Sequence, residues 1–274
     1  MSVLKVNDLR KEYKSFTLDN VSFSLEKGKI TGFIGRNGAG KSTTLKSIFG
    51  FVKKDGGEVE FFDKPFDGNE GEIKQRAGFL LGEVNYYQSK KISSITSVTK
   101  SFFSSWDDAA YREYMHKFNL DENKRPAELS AGMKVKYSLA LALSHGAELL
   151  ILDEPTSGLD PVSRDELLDI FLDLVGEGKT ILFSTHITSD LERCADNIIY
   201  IRNGRIVADK TLYQFVGAYR KVTLDGEPDS DVYIGPRREK NGFSALVKAE
   251  DVVSWMDAKE ATLEDVMLHL EREV

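Results

Sequence analysis

The sequence predicts an α/β fold whose centre is a parallel sheet buried on both faces. Three short apolar runs, at residues 30–34, 149–152 and 179–184, have the composition of strands that are covered on both sides. Helical patterns follow the first two runs, at residues 43–49 and 165–175. Alternation of buried strands with helices is typical of a sheet that carries helices on its faces.

Antiparallel strands are predicted near the N-terminus and helices in the middle of the chain. Residues 3–9, 21–25 and 58–62 alternate between apolar and polar side chains, as half-buried strands do. From residue 97 to residue 144 the pattern becomes helical. One helical face there is aromatic and is interpreted as core packing: Tyr111, Tyr114, Met115 and Phe118.

The last part of the chain has a different composition, which shifts near Thr211. Just before it, Asn203-Gly204 predicts a two-residue hairpin turn within residues 198–208. Short strand candidates follow the shift. Thr262 and Asp265 then form a capping-box pattern, which predicts a final helix.

Composition excludes several classes of protein. The 274 residues are 41% hydrophobic and 30% charged, which is ordinary for a globular protein. The net charge of −7, without a long basic stretch, argues against nucleic acid as the main ligand. The single cysteine, Cys194, excludes an intrachain disulfide, and no apolar run approaches a membrane span or a signal peptide. We therefore expect a cytoplasmic chain whose membrane role, if any, comes through a partner.

Residues 35–42 match the phosphate-binding pattern G-x-x-x-x-G-K-[ST] at every fixed position: Gly35, Arg36, Asn37, Gly38, Ala39, Gly40, Lys41 and Ser42. Glycines allow backbone N–H groups to converge on phosphate oxygens. Lys41 supplies a charge for the β- and γ-phosphates, and the Ser42 hydroxyl is a hard ligand for Mg²⁺. A predicted strand precedes the loop, and Thr43 begins a predicted helix whose N-terminus faces the anion. The pattern predicts a binding site for a nucleoside triphosphate.

Adjacent carboxylates, Asp153 and Glu154, end the apolar run at 149–152, and Asp160 follows. Ligands of open α/β sheets bind at the carboxyl ends of the strands. One carboxylate can hold a metal ion there while its neighbour acts on water.

A third motif, Leu-Ser-Ala-Gly-Met at residues 129–133, precedes a predicted helix at 135–144. With the histidine of Ser184-Thr185-His186, the ordered set over residues 3–212 resembles ATP-binding cassette (ABC) proteins. Within that family, the sequence looks most like the separately encoded ATPase subunits of Gram-positive bacterial exporters.

The resemblance implies a role for each matching residue. Asp153 and Ser42 would hold Mg²⁺, Glu154 would be the general base for the attacking water, and His186 would contact the γ-phosphate. Tyr13 matches the aromatic residue that stacks on adenine, although a plainly packed tyrosine remains an alternative.

The resemblance also implies that the site is completed by a second copy of the chain. The signature residues of one copy would close on ATP held by the other, head to tail across a twofold axis: Ser130, Ala131, Gly132 and Met133. Asp160 would lie at that interface and link the two sites. Hydrolysis would loosen the dimer, and a membrane partner would use the change of shape.

Two departures from the family pattern stand out. Ala131 replaces the second signature glycine and Met133 the usual terminal glutamine, but neither position is expected to need a positive φ. No glutamine follows residues 77–80, where the family's glutamine loop should begin. Glu83 is the nearest polar candidate there and could bind Mg²⁺ through water. The alternative for Glu83 is an ordinary acid in a loop. Gln88 lies further along the chain.

We therefore predict an α/β P-loop ABC nucleotide-binding domain over residues 1–212. It has a helical subdomain at about 86–145 and a small α+β extension of unknown role at 213–274. The predicted function is Mg²⁺-dependent ATP hydrolysis that powers transport, in the direction of export, through a separate polytopic membrane subunit at the cytoplasmic face. The alternatives are a soluble ABC ATPase of cluster assembly and a regulatory nucleotide-binding module.

Overall fold

A six-stranded sheet forms the centre of the protein in the computed structural model, which describes residues 2–81, 87–228 and 230–272. Its strands, in spatial order, are β10 (Arg205–Thr211), β9 (Asn197–Arg202), β3 (Ile30–Ile34), β8 (Thr180–Thr185), β7 (Leu149–Asp153) and β6 (Ala77–Leu81). All neighbours pair in parallel except β9 and β10, which form the antiparallel hairpin predicted at Asn203-Gly204. The three predicted apolar strands are β3, β7 and β8, and each is buried throughout.

The N-terminal strands form a separate antiparallel sheet. Its order is β2 (Phe16–Glu26), β1 (Ser2–Tyr13), β4 (Gly56–Phe61) and β5 (Lys64–Pro65). The predicted strands lie within β1, β2 and β4, except that Phe62 falls beyond β4 with a left-handed φ of 53°. Asp63 follows with φ 61°, so the chain turns there into β5.

Alternate residues of the parallel strands point to opposite faces of the sheet, and each face has its own core. Leu149 and Ile151 join the core shared with β1, β2 and α1 (Lys41–Ile48). Leu150 and Leu152 join the core shared with α5 (Ala131–Ser144) and α6 (Pro161–Gly176). The fold is therefore two packed layers on a central sheet, and the carboxyl ends of its parallel strands share one edge.

The described chain contains six further α-helices. They are α2 (Glu70–Arg76), α3 (Ile92–Lys100), α4 (Asp108–Lys117), α7 (Thr188–Cys194), α8 (Leu212–Gly217) and α9 (Leu263–Leu270). The helical stretch predicted from residue 97 consists of α3, α4 and α5, and the aromatic face of α4 is indeed core: Tyr111, Met115 and Phe118 are buried. No helix within residues 2–81, 87–228 and 230–272 has the length and apolar character needed to cross a membrane.

The C-terminal extension contains a small antiparallel sheet. Its order is β12 (Ile234–Glu239), β13 (Gly242–Lys248), β11 (Tyr219–Leu224) and β14 (Ala258–Glu260). The capping box predicted at Thr262 and Asp265 is present and begins α9. The domain boundary after residue 212 stays a prediction, because the apolar side of α9 lies in the same core as the parallel sheet.

Two buried histidines make the stability of the fold sensitive to acid. His269 has its Nδ1 2.7 Å from the carbonyl oxygen of Gly235, and His145 has its Nδ1 3.0 Å from that of Gln75. Burial lowers the pKa of both rings. The unfolded chain, with histidine pKa values near 6.5, therefore binds protons first as the pH falls, so stability present above about pH 6.5 is lost below it.

We expect the melting temperature to fall between pH 7.5 and pH 5.5, and to fall less steeply in a His269→Gln variant. Differential scanning fluorimetry at matched ionic strength measures this. His116→Gln, at the end of α4, is the control that should keep the wild-type slope. If the melting temperature fell equally steeply with pH in all three proteins, His269 would not be a source of the acid sensitivity.

Candidate active site

The phosphate-binding loop connects β3 to α1, as the sequence predicts. Gly38 and Gly40 have φ values of 84° and 114°, which favour glycine. A Cβ on Gly40 would also lie 2.6 Å from Cδ2 of Leu18. Lys41 is 5% exposed, and its Nζ donates to the carbonyl oxygen of Gly35 over 2.7 Å. The loop thus presents backbone and a buried ammonium group to one open space.

That space is a cavity of about 640 Å³ at the carboxyl edge of the sheet. Most of the predicted nucleotide-binding residues line it, and they are joined by both candidate catalytic groups of the other strands: Arg36, Asn37, Gly38, Gly40, Lys41, Ser42, Thr43, Glu154 and His186. Ser15, Phe16 and Ser157 line it as well and were not predicted. The cavity is large enough for the phosphates of a nucleotide.

Asp153 ends β7 with its carboxylate directed at the phosphate loop. Its Oδ1 accepts hydrogen bonds from Ser42 Oγ over 2.9 Å and from Ser184 Oγ over 2.7 Å. Asp153 is only 6% exposed, so these two hydroxyl donors satisfy a carboxylate oxygen that is almost removed from water. Hard oxygen atoms of Ser42 and Asp153 thus meet beside the cavity, which is the donor chemistry that Mg²⁺ prefers.

Glu154 connects three parts of the site. Its backbone has a left-handed φ of 53°, and its N–H donates to Ser184 Oγ over 3.0 Å. Its Oε2 lies 2.8 Å from His186 Nδ1, and its Oε1 lies 3.5 Å from Lys41 Nζ. A carboxylate, an imidazole and an ammonium group, each from a segment that follows a different strand of the sheet, therefore converge on one cavity. Such a set can bind a polyphosphate and polarise water.

The sequence profile of the family described as ABC transporter matches residues 18–157. The chain belongs to the ABC transporter family. The bacitracin transport ATP-binding protein BcrA of Bacillus licheniformis is 33% identical over 212 residues, which cover 76% of this chain and 69% of BcrA. The lantibiotic transport ATP-binding protein SrtF of Streptococcus pyogenes is 35% identical over 211 residues, which cover 76% of this chain and 90% of SrtF.

Structural comparison supports the same assignment. The solved structure of an ATP-binding subunit of an ABC transporter superposes with a TM-score of 0.70 at 28% identity, and covers 78% of this chain and 91% of that one. The family resemblance and the ABC fold predicted from the motifs are thereby confirmed. The chain is an ATP-binding, ATP-hydrolysing subunit of an ABC transporter.

The ABC signature lies at the N-terminus of α5. Ser130 is the N-cap, and its Oγ accepts the Met133 N–H over 3.2 Å. Ala131 begins the helix, and neither Ala131 nor Met133 is among the residues with positive φ, which explains why side chains fit there. Ser130 and Ala131 are exposed, and no residue of 130–133 is among the described residues that line the phosphate cavity.

Asp160 caps the N-terminus of α6. Its Oδ1 accepts the N–H groups of Val162 and Ser163, both over 3.0 Å. Hydrogen bonds from Ser163, first from its side chain and then from its amide, lower the pKa of Asp160. Val162 beside it is 68% exposed. The local role of Asp160 is therefore helix capping, on a surface that carries exposed apolar area.

Tyr13 and Glu83 are the two other predicted site residues. Tyr13, at the end of β1, is 44% exposed and stands under Lys11 Nζ at 5.4 Å from the ring centre, but it does not line the phosphate cavity. Phe16, which pairs with Tyr13 across the β1–β2 turn, does line it. The hairpin register is the signal that could have identified Phe16. Glu83 lies outside the described residues.

Proposed function

We propose that this chain hydrolyses MgATP as a homodimer and thereby drives export through a separately encoded membrane subunit. The observation that carries the proposal is the convergence of Lys41, Glu154 and His186 on the cavity of the phosphate loop. The loop binds the phosphates through its amides, and Lys41 neutralises their charge. Tyr13, at the end of β1, stacks on adenine in this proposal.

Glu154 is the proposed general base. Its carboxylate is held by His186 at 2.8 Å and by Lys41 at 3.5 Å, so both oxygens have defined directions. When ATP binds, Lys41 turns its charge to the phosphates, and Glu154 is left to accept a proton from the attacking water. His186 keeps the carboxylate in place and contacts the γ-phosphate.

Mg²⁺ is the proposed metal, with Ser42 and Asp153 as the residues that would hold it and Glu83 as a further candidate through water. Bound there, it would neutralise charge on the phosphate oxygens. The Ser184 hydroxyl orients the Asp153 carboxylate toward Ser42, so a residue outside the three motifs positions the metal residues.

A second copy of the chain is proposed to complete the site. Ser130 and Ala131 are exposed at a helix N-terminus, and neither lines the cavity of the phosphate loop. An exposed helix N-terminus favours phosphate, so the signature of one copy can close on ATP bound by the other. Asp160 and exposed Val162 lie at the start of α6, where we place the contact between the two sites.

Export through a polytopic membrane subunit at the cytoplasmic face is the proposed transport role. Support comes from relatives that are described as transport ATP-binding proteins for bacitracin and for a lantibiotic. These descriptions favour transport over a soluble ABC ATPase of cluster assembly or a regulatory module. We keep residues 1–212 as the proposed ATP-binding domain, with its helical subdomain at about 86–145, and residues 213–274 as an extension.

The test has two parts. Purified protein should release phosphate from ATP with Mg²⁺ and not with excess EDTA, and a Lys41→Ala variant should release at least about 10²-fold less. A tagged chain with Lys41 intact is then recovered, in mild detergent, from membranes of the cells that naturally make it. A polytopic membrane protein should be recovered with it. Recovery of soluble partners alone would count against export, whereas absence of phosphate release would count against the enzyme itself.

A further inference from the structure

The helix α9 of the C-terminal extension packs against the segment that carries His186. Helix α7 begins at Thr188, two residues after His186. The buried side chains of α9 share an apolar core with Leu191 of α7, the most central of them being Leu263 and Val266. The extension is thus in direct contact with α7, the helix that follows the proposed catalytic residue His186.

A hydrogen bond joins the two helices at the N-terminal end of α9. Glu192, on α7, accepts the backbone N–H of Leu263 at its Oε1 over 2.6 Å. Leu263 is the first residue of α9, where an N–H has no partner inside the helix. A carboxylate at this position also interacts favourably with the helix dipole. Glu192 therefore fixes the start of α9 against α7.

The other end of α9 is tied to β9. The hydroxyl of Tyr200 donates to Glu271 Oε1 over 2.7 Å, and Arg202 Nη1 donates to the carbonyl oxygen of Leu270, also over 2.7 Å. Tyr200 is 1% exposed, so its hydroxyl depends on this partner. With both ends held, α9 has a fixed position beside the active site.

His186 faces a second cavity, of about 490 Å³, on the side of α9. Arg36 of the phosphate loop lines this cavity together with residues of the helix, among them Glu264 and Met267. His186 also lines the phosphate cavity, so this residue borders both open spaces. The His186 side chain is also 49% exposed, so packing alone does not direct the imidazole at Glu154.

We propose that Glu192 is a positioning residue for ATP hydrolysis, because it holds α7 on α9 and so keeps His186 Nδ1 at the Glu154 carboxylate. The proposal rests on the role of His186 given above. It assigns the extension a function in the ATPase site: the extension sets the geometry of the histidine without touching ATP.

The experiment compares steady-state MgATP hydrolysis by the full chain and its variants. Glu192→Ala should lower kcat roughly tenfold, since displacing a catalytic group by about 1 Å costs up to about 10²-fold. The KM for ATP should change less than about twofold, because the phosphate loop that holds ATP is untouched. Glu192→Gln keeps an oxygen acceptor for the Leu263 N–H and should restore most of kcat. Glu250→Ala, an exposed acid of the same extension, is the matched control.

A His186→Ala background separates positioning from general damage. If Glu192 acts through His186, Glu192→Ala should lower kcat no further in that background, since coupled residues are non-additive. Tyr200→Phe, which removes only the hydroxyl that binds Glu271, is a second variant should Glu192→Ala fold poorly, and it should lower kcat in the same way. Wild-type kcat in both variants, or equal losses with and without His186, would overturn the inference. Failure of the wild-type chain to hydrolyse ATP would instead overturn the proposed function.

Discussion

Glu154→Gln is expected to abolish turnover while preserving ATP binding. Glutamine has the same shape but cannot accept a proton from water, so kcat should fall by roughly 10²- to 10⁴-fold. The carboxylate also forms the 3.5 Å ion pair with Lys41 in the described geometry. Removing its charge leaves Lys41 available to the phosphates and removes a repulsion with them. ATP should therefore bind at least as tightly as in the wild type.

The same variant should accumulate as an ATP-bound dimer. If ATP joins two copies and hydrolysis releases them, a chain that binds without hydrolysing stays dimeric. Gel filtration with MgATP, with phosphate release measured on the same sample, checks both effects. Glu58→Gln, at an exposed position of β4, should behave as wild type. A Glu154→Gln protein that elutes as a monomer at saturating ATP would refute the head-to-tail dimer.

The parts of the site that the sequence predicts are those in which neighbours in sequence are also neighbours in space. The phosphate loop is one contiguous turn, so spacing alone places Gly40, Lys41 and Ser42. Asp153 and Glu154 follow a buried strand, so their place at the carboxyl edge follows from the sheet. The central sheet and its helices were predictable for the same reason, because apolar period and length are local properties.

Contacts between distant segments were not predictable. Ser184 was recognised only as the residue two before His186, yet its hydroxyl orients Asp153, 31 positions away in sequence. Phe16 enters the phosphate cavity because of the β1–β2 register. Helix α9 was predicted as an element, but its contacts with α7 join segments far apart in sequence, such as Glu192 and Leu263, 71 positions apart. Sequence periodicity gives the apolar side of such a helix and does not give its partner.

Two inactive variants should restore each other's activity if the signature acts on the ATP of the opposite copy. Ala131→Glu places a negative charge on the exposed signature surface and leaves the Ser130 cap of α5 intact. Like-charge contact with a triphosphate costs several kcal/mol, so turnover should fall by roughly 10²-fold. Ala109→Glu, near the start of α4 after the Asp107 cap, is the matched control and should remain active.

Lys41→Ala is the complementary variant, with a defective phosphate loop and an intact signature. In a mixed dimer, one site combines the intact loop of the Ala131→Glu chain with the intact signature of the Lys41→Ala chain. Equal mixing makes about half of the dimers mixed, each with one complete site of two, so about a quarter of wild-type turnover should return. Dependence between the sites through Asp160 would lower that fraction. Wild-type turnover by Ala131→Glu alone would show that residues 130–133 do not meet ATP. A single copy would then hold the whole active site.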